Sequence, residues 1–301
     1  MLRLLTRKLV QGVFLILISS AITFAMLANA GGDALSALQD NPQVSRETLA
    51  NLRRVYGLDR PVVERYAVWL GSAVRGDLGN SLYFRTPVAS LVATRFGSTL
   101  LVSFAAIAIS LGISVLLAFA AVRYRWRWLV AVNDLVVLLS ASTPRLVLSL
   151  IALTILVQLS LTETFVASAV VLAIPLVSLF LAQLVDGLDD AMKQDYIRLA
   201  RAKGLSENVV ILRHASRAAL NPVLTLVGLC LGALLAGSVL VETILGRQGM
   251  GSLMVAAVRN RDIPLVMGIV LVASAAVWLA NSVAEVLQMV NDKRLRDTEA
   301  K

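Results

Sequence analysis

Cysteine and histidine are almost missing from this chain of 301 residues: Cys230 and His214 occur once each. A lone cysteine excludes an intrachain disulfide, and the two together exclude a metal cage built on several Cys or His ligands. Charge is scarce too, at 16% Asp, Glu, Lys and Arg against roughly 25% in soluble domains. None of the five lysines follows a glycine, so no GxxxxGK[ST] phosphate-binding loop can be written. HExxH and GxSxG are absent as well. The expectation is therefore a chain that performs no catalysis of its own, with Cys230 a packing residue and His214 a solvated one.

What is abundant is apolar. Hydrophobic residues make up 58% of the chain, with a mean hydropathy of +0.79. One soluble core of this length could not hide that much apolar surface. A bilayer crossing needs about 20 apolar residues, and uncharged runs of that length occupy 9–28, 96–122, 165–185, 218–241 and 265–284. A sixth run, 135–159, is interrupted by Pro144 and Arg145. The pattern predicts an all-α integral membrane fold, a single domain over 1–301 with six transmembrane helices. The first run has a rival reading as a signal peptide, because Arg3, Arg7 and Lys8 precede it and Ala28-Asn29-Ala30 resembles a cleavage site. It is longer than the usual 7–15-residue apolar region and is read as a retained helix.

The distribution of Lys and Arg orients the chain. With the N-terminus inside, 16 of them fall on cytoplasmic segments, none on the outer loop near 158–164 and three (Arg247, Arg259, Arg261) on the other short outer loop. Both termini are then cytoplasmic. The cluster Arg123-Tyr124-Arg125-Trp126-Arg127-Trp128 suits an anchor at the lipid headgroups rather than a nucleic-acid site.

Two loops look structured. In the outer loop, 29–95, Ser45 can cap a helix that Gly57 stops, and Asp59 and Pro61 can open a second with one apolar face (Val62, Tyr66, Trp69, Leu70, Ala73). These helices either lie on the membrane surface or form a docking platform for an external partner. In the inner loop, 186–217, Asp189-Asp190 favour a helix start, Gly204 stops a helix over 191–203, and Ser206 can cap a second one into Arg217. Its small stretch, Ala200, Ala202 and Gly204, lets a partner approach closely, while Arg198, Arg201 and Lys203 surround it. A solvated basic face is the plainer alternative.

Within the spans, Arg145 beside Pro144 either snorkels to an interface or lines a wet path where it meets an anionic substrate group. Gly228 and Gly232 form a GxxxG spacing suited to close helix packing. Pro175 and Pro222 allow kinks.

The inner-loop stretch Asp195-Tyr196-Ile197-Arg198-Leu199-Ala200-Arg201-Ala202-Lys203-Gly204-Leu205-Ser206-Glu207, with Leu212-Arg213-His214-Ala215 and Asn221-Pro222-Val223-Leu224-Thr225, resembles the EAA coupling loop of ATP-binding-cassette permeases in the peptide-importer branch. Tyr56-Gly57-Leu58-Asp59-Arg60-Pro61, Gly76-Asp77-Leu78-Gly79-Asn80-Ser81 with Pro87-Val88, and Asn260-Arg261-Asp262-Ile263-Pro264-Leu265-Val266 extend the likeness along the chain. The resemblance is to the dipeptide/oligopeptide/nickel permease family. It implies an importer subunit of the cell inner membrane that forms half of a translocation path. The implied partners are two cytoplasmic ATPase subunits, a second permease subunit and an extracytoplasmic substrate-binding protein. ATP and Mg would sit on the ATPases, with no cofactor on this chain. It also implies that Asp195, Tyr196, Arg198, Ala200, Arg201, Ala202, Lys203, Gly204 and Leu205 couple to the ATPase, and that Asp59, Arg60, Gly76, Asp77 and Gly79 face the binding protein. There are departures. Arg198 stands where the motif has Glu, Arg247-Gln248-Gly249-Met250-Gly251 replaces Trp-Pro-Gly-x-Gly, Asp292-Lys293-Arg294 replaces Asp-Pro-Arg, and the 158–164 loop is short. An ion-coupled carrier or channel is the alternative, but it would need buried acidic relays that five uncharged runs do not offer.

Overall fold

A computed structural model describes residues 2–29, 45–55, 57, 59–124 and 127–291. Residues 30–44, Tyr56, Leu58, Arg125, Trp126 and the basic segment from Asp292 onward lie outside the described residues. In chain order the helices are α1 (Leu2–Asn29), α2 (Arg46–Val55), α3 (Val62–Val74), α4 (Val88–Tyr124), α5 (Arg127–Ser142), α6 (Arg145–Gln158), α7 (Thr164–Met192), α8 (Asp195–Ala202), α9 (Glu207–Val209, continued by a π-helical turn Val210–Ala215), α10 (Ser216–Gly237), α11 (Val239–Ile244), α12 (Met250–Arg259) and α13 (Ile263–Asn291). Among the described residues there is no strand, only one bridge between Asn80 and Pro87.

Five segments are long and apolar enough to cross a membrane: Thr6–Asn29, Val88–Tyr124, Thr164–Met192, Glu207–Leu235 and Ile263–Met289. The run at 135–159 is not one helix. Pro144 has no N–H to bond backward, so the helix breaks there, and α5 and α6 of 16 and 14 residues flank the break. At 1.5 Å per residue each spans only about 21–24 Å. At the end of α5 the hydroxyl of Thr143 donates back to Leu139 O (2.6 Å), one turn earlier.

The chain divides into two compact units, 1–98 with 248–278, and 99–247 with 279–301. In the first, Leu78, Val88, Val92, Leu253, Ala257, Leu265 and Val266 form the core. Here α4 begins eight residues before the uncharged run expected at 96, because Val88, Val92 and Phe96 recur every four residues and make an apolar face that packs in this core. The outer-loop helix α3 lies on α1. Tyr66 shares a 2.9 Å hydrogen bond with Ser20 Oγ, packs at a tilt on Phe24 (5.5 Å) and stacks with Trp69 (6.1 Å), and Arg65 sits 5.7 Å over the Phe24 ring. Farther along α1, a β-carbon on Gly12 would overlap the Trp278 indole, whose Nε1 donates to Lys8 O at 3.0 Å.

The second unit is organised around α7, whose Leu172, Phe180 and Leu181 are fully buried. This helix runs on to Met192, so Asp189 and Asp190 close a helix rather than open one, which corrects the expected start at 191. Leu188 and Ala191 continue the buried face of α7, and that burial outweighs the unfavourable dipole. Lys193 answers Asp190 at 3.1 Å. Gly187 lets α7 approach Ala219 of α10 closely. A β-carbon on Gly228 would overlap Ala284 Cβ, so the GxxxG glycine marks the tight seam between α10 and α13. Gln288 bridges the same seam to Asn221 O (3.1 Å) and Thr225 Oγ1. Pro175 and Pro222 lie inside helices that continue through them.

Candidate functional site

The inner-loop hairpin is built from alternating inward and outward positions. On α8, Ile197 (0% exposed) and Ala200 (5%) pack into the core beside Val210, Ile211 and Ala215 of the π turn. The opposite face presents Tyr196 and Leu199, with Ala202, Lys203, Gly204 and Leu205 exposed around the turn. Ala200 therefore supports the hairpin from within and is not part of its open face. Gly204 has φ +77°, a left-handed conformation that glycine adopts without strain, and its N–H reaches Arg201 O at 2.9 Å. Nothing lies within 4 Å of where its β-carbon would be, so space stays open on that side.

Charge closes the hairpin. Arg201 grips Glu207 through two hydrogen bonds (Nη2 to Oε1 2.6 Å, Nε to Oε2 3.2 Å), which raise the guanidinium pKa further. Arg198 pairs loosely with Asp195 at 3.4 Å and is exposed. Arg123, at the end of α4, donates to Asn208 Oδ1 at 2.7 Å and ties the hairpin to a long helix. The result is a braced knob whose turn presents Ala202, Gly204 and Leu205 beside the exposed Lys203.

A second site lies in the other unit. Ser45 Oγ accepts the Thr48 N–H at 3.0 Å and caps α2, and Gly57 (φ +62°) follows it. Asp59 and Arg60 are exposed, and Arg60 pairs with Glu64 at 3.4 Å. Gly76 and Gly79 take φ +85° and +80°, and Asp77 Oδ1 accepts the Gly79 N–H at 2.9 Å. These residues shape an exposed turn between α3 and α4. Its anchor is a residue that composition and spacing did not single out. The Asp262 carboxylate is fully buried and accepts Ser81 Oγ (2.5 Å), Tyr83 N (3.0 Å) and Leu265 N (3.2 Å). It caps α13 while holding the turn. Its one sequence signal was membership in the Asn260–Val266 match.

The polar groups of the second unit are more scattered. Arg145 is half-buried at the first position of α6, directly after Pro144. Glu242, one residue past the uncharged run ending at 241, is 3% exposed. Its Oε1 accepts Thr99 Oγ1 (2.8 Å) and Ser238 Oγ (2.9 Å). Arg247 stacks over Phe165 at 5.2 Å; burial lowers its pKa and nearby Glu242 opposes the fall. In the first unit Gln248, the next residue of the altered stretch, accepts from Arg95. No group of three or more His, Cys, Asp or Glu that could hold a metal ion occurs among the described residues.

Comparison with known proteins brings these features together. Residues 108–297 match the family described as binding-protein-dependent transport system inner membrane component, and residues 1–103 match the N-terminal family of the same components. A protein of Brucella suis biovar 1 named as a peptide permease is 32% identical over 319 aligned positions, covering 99% of this chain and 100% of the relative. The glutathione transport system permease protein GsiC of Escherichia coli K12 is 28% identical, covering 98% and 99%. The corresponding protein of Shigella boydii serotype 4 is similar to the same extent.

Proposed function

The chain belongs to the family of inner membrane components of binding-protein-dependent transport systems, and from that premise we propose how its two sites divide the work. It is a permease subunit of an ATP-binding-cassette importer and resides in the inner membrane. It forms half of a path for peptides or glutathione-like peptides, the cargo class in its relatives' names; nickel chelates are the alternative cargo. An ATPase and a substrate-binding protein accompany it. Two ATPase subunits and a second permease complete the assembly, and ATP with Mg stays on the ATPases. The chain crosses the membrane six times with both termini cytoplasmic, the third crossing being the α5–α6 segment broken at Pro144. Non-continuous helices are tolerated where neighbouring protein or a wet cavity satisfies the freed backbone. The ion-coupled carrier or channel reading loses its ground with the family assignment.

The observation that carries the coupling proposal is the split face of α8. Ile197 and Ala200 hold the hairpin from inside, which leaves Tyr196, Leu199 and Leu205, at 38–58% exposure, apolar and unused. An ATPase groove that covers them can push the hairpin as a lever, and the bracing by Arg123 and the core under Val210 and Ile211 passes the push to α4, α7 and α10. Coupling is limited by the difference in contacts between the two states. Leu199→Asp and Leu205→Asp test this: each should strip the ATPase from the affinity-purified permease while leaving membrane insertion intact. Full co-purification of the ATPase with both variants would overturn the assignment.

On the outer side, Asp59, Arg60, Gly76, Asp77 and Gly79 form the surface that receives the binding protein. Their exposure, on a turn anchored from below, supports this. Arg145 and Pro144 line the path, where the guanidinium meets a cargo carboxylate. Arg145→Ala should change cargo affinity or preference more than the ATPase rate without binding protein; an unchanged transport profile would retire that role.

A further inference from the structure

We propose that Asp262 is a positioning residue for cargo reception: its buried carboxylate latches the outer turn onto the first turn of α13, so that a binding protein meets one fixed surface. The inference rests on the reading of that turn as the receiving surface. Three observations carry it. First, Asp262 (0% exposed) and Ser81 (2%) are buried polar groups 181 residues apart in the chain, and they meet at 2.5 Å. Buried polar groups are as a rule hydrogen-bonded, and these two satisfy each other. Second, the network reaches both sides. Asp262 takes Tyr83 N and Leu265 N, while Ser81 Oγ in turn accepts Phe84 N at 2.9 Å. Third, apolar contacts run parallel to the polar ones. Leu78 shares the core of Leu265 and Val266, and Pro264 Cβ lies 3.8 Å from where a β-carbon on Gly79 would be. The exposed residues Gly76, Asp77 and Gly79 therefore stand on a footing that belongs to the last long helix.

A carboxylate is the group this footing requires, since all its incoming partners are donors. An amide at the same position would turn an NH2 toward one of them. Loss of the latch should loosen the surface without removing any residue that touches the binding protein.

The test uses the complete importer in lipid nanodiscs with its purified binding protein as probe. The dissociation constant is read by biolayer interferometry and the maximal ATPase rate at saturating binding protein is read separately. For Asp262→Asn and Ser81→Ala we expect the dissociation constant to rise about tenfold, with the maximal rate falling less than twofold. The double variant should be no worse than the worse single one, because both remove the same latch. A dissociation constant within twofold of wild type in both variants would overturn the proposal. So would a proportional fall in affinity and maximal rate, which would mark a general structural loss. Should Asp262→Asn fail to assemble, Ser81→Ala decides alone. If the wild-type complex itself does not bind its binding protein, the receiving-surface reading falls; if wild type binds and the variants match it, only the latch falls.

Discussion

The turn at 77–87 and the hairpin at 195–215 are both short reversals between helices, yet they are closed in opposite ways. The hairpin is closed by neighbours, Gly204 and an Arg201–Glu207 pair six residues apart whose side chains are 44% and 32% exposed. The turn is closed by Asp262, distant in the chain and fully buried. An exposed pair is worth about 0–1 kcal/mol, whereas hydrogen bonds to a buried charge are worth roughly 1.5–3 kcal/mol each. The hairpin thus owes its shape to backbone geometry and to Ile197 and Ala200 beneath it, and leaves Tyr196, Leu199 and Leu205 exposed. The turn owes its shape to a buried anchor, Asp262, which holds Ser81 and Tyr83 from beneath.

The largest effect should come from filling the open side of the hairpin. Gly204→Trp puts bulk where nothing lies within 4 Å and forces a side chain into φ +77°. The local strain is only about 1–2 kcal/mol, so the protein should still insert. ATP-driven uptake of radiolabelled glutathione or trialanine, whichever wild-type vesicles accumulate, should fall to background. Wild-type uptake with that variant would mean that the hairpin top touches nothing.

Next in size is the anchor. Asp262→Ala removes an acceptor from three donors at once and leaves the Ser81 hydroxyl hydrogen and the Tyr83 and Leu265 amides without it. A loss of about 3 kcal/mol or more is expected, read as a lower thermal midpoint of the detergent-purified permease and as faster amide exchange at Tyr83 and Leu265. Asp262→Asn should lose less, since the amide still offers one acceptor. Equal midpoints for the alanine variant and wild type would reverse the contrast drawn between the two turns.

A third, smaller effect belongs to neither turn. Gly228→Ala should push α10 from Ala284, costing about 1–3 kcal/mol by overpacking, again read as a thermal midpoint. The same substitution at Gly71, which has open space around it, should leave the midpoint within error.

The same contrast explains what the residues disclosed in advance. Signals acting over a few positions were readable: Ser45 before α2, Gly57 after it, the Gly204 stop, the Pro144 interruption and the long uncharged runs. Signals that depend on tertiary burial were not. The acidic pair Asp189-Asp190 looks like a helix start because local electrostatics favours one there, but Leu188 and Ala191 extend the buried face of α7 and carry the helix past them. Ala200 reads as part of an open small face, and only the fold shows that it turns inward beside Ile197. Glu242 and Asp262 each sit at the edge of an apolar run, where hydropathy says nothing about burial. The Gly76–Ser81 and Asn260–Val266 stretches were recognisable as motifs, but no spacing rule joins segments so far apart in the chain.

The smallest expected effect tests the weaker closure directly. Arg201→Ala removes both bonds to Glu207, and with the pair solvated the midpoint of the permease purified without its ATPase should fall by no more than about 3 °C. Raising salt from 0.1 to 0.5 M should narrow the gap to wild type, because screening reaches an exposed pair and hardly touches a buried one. The measurement gains force when repeated with the ATPase bound. If the ATPase covers the hairpin, the pair leaves water, and loss of one partner then strands the other charge, a much larger penalty. The midpoint difference between Arg201→Ala and wild type should therefore widen in the assembled importer and lose its salt dependence. An unchanged, salt-sensitive difference in the assembly would mean that the hairpin stays in solvent, and the groove proposed for the ATPase would have to lie elsewhere on the chain.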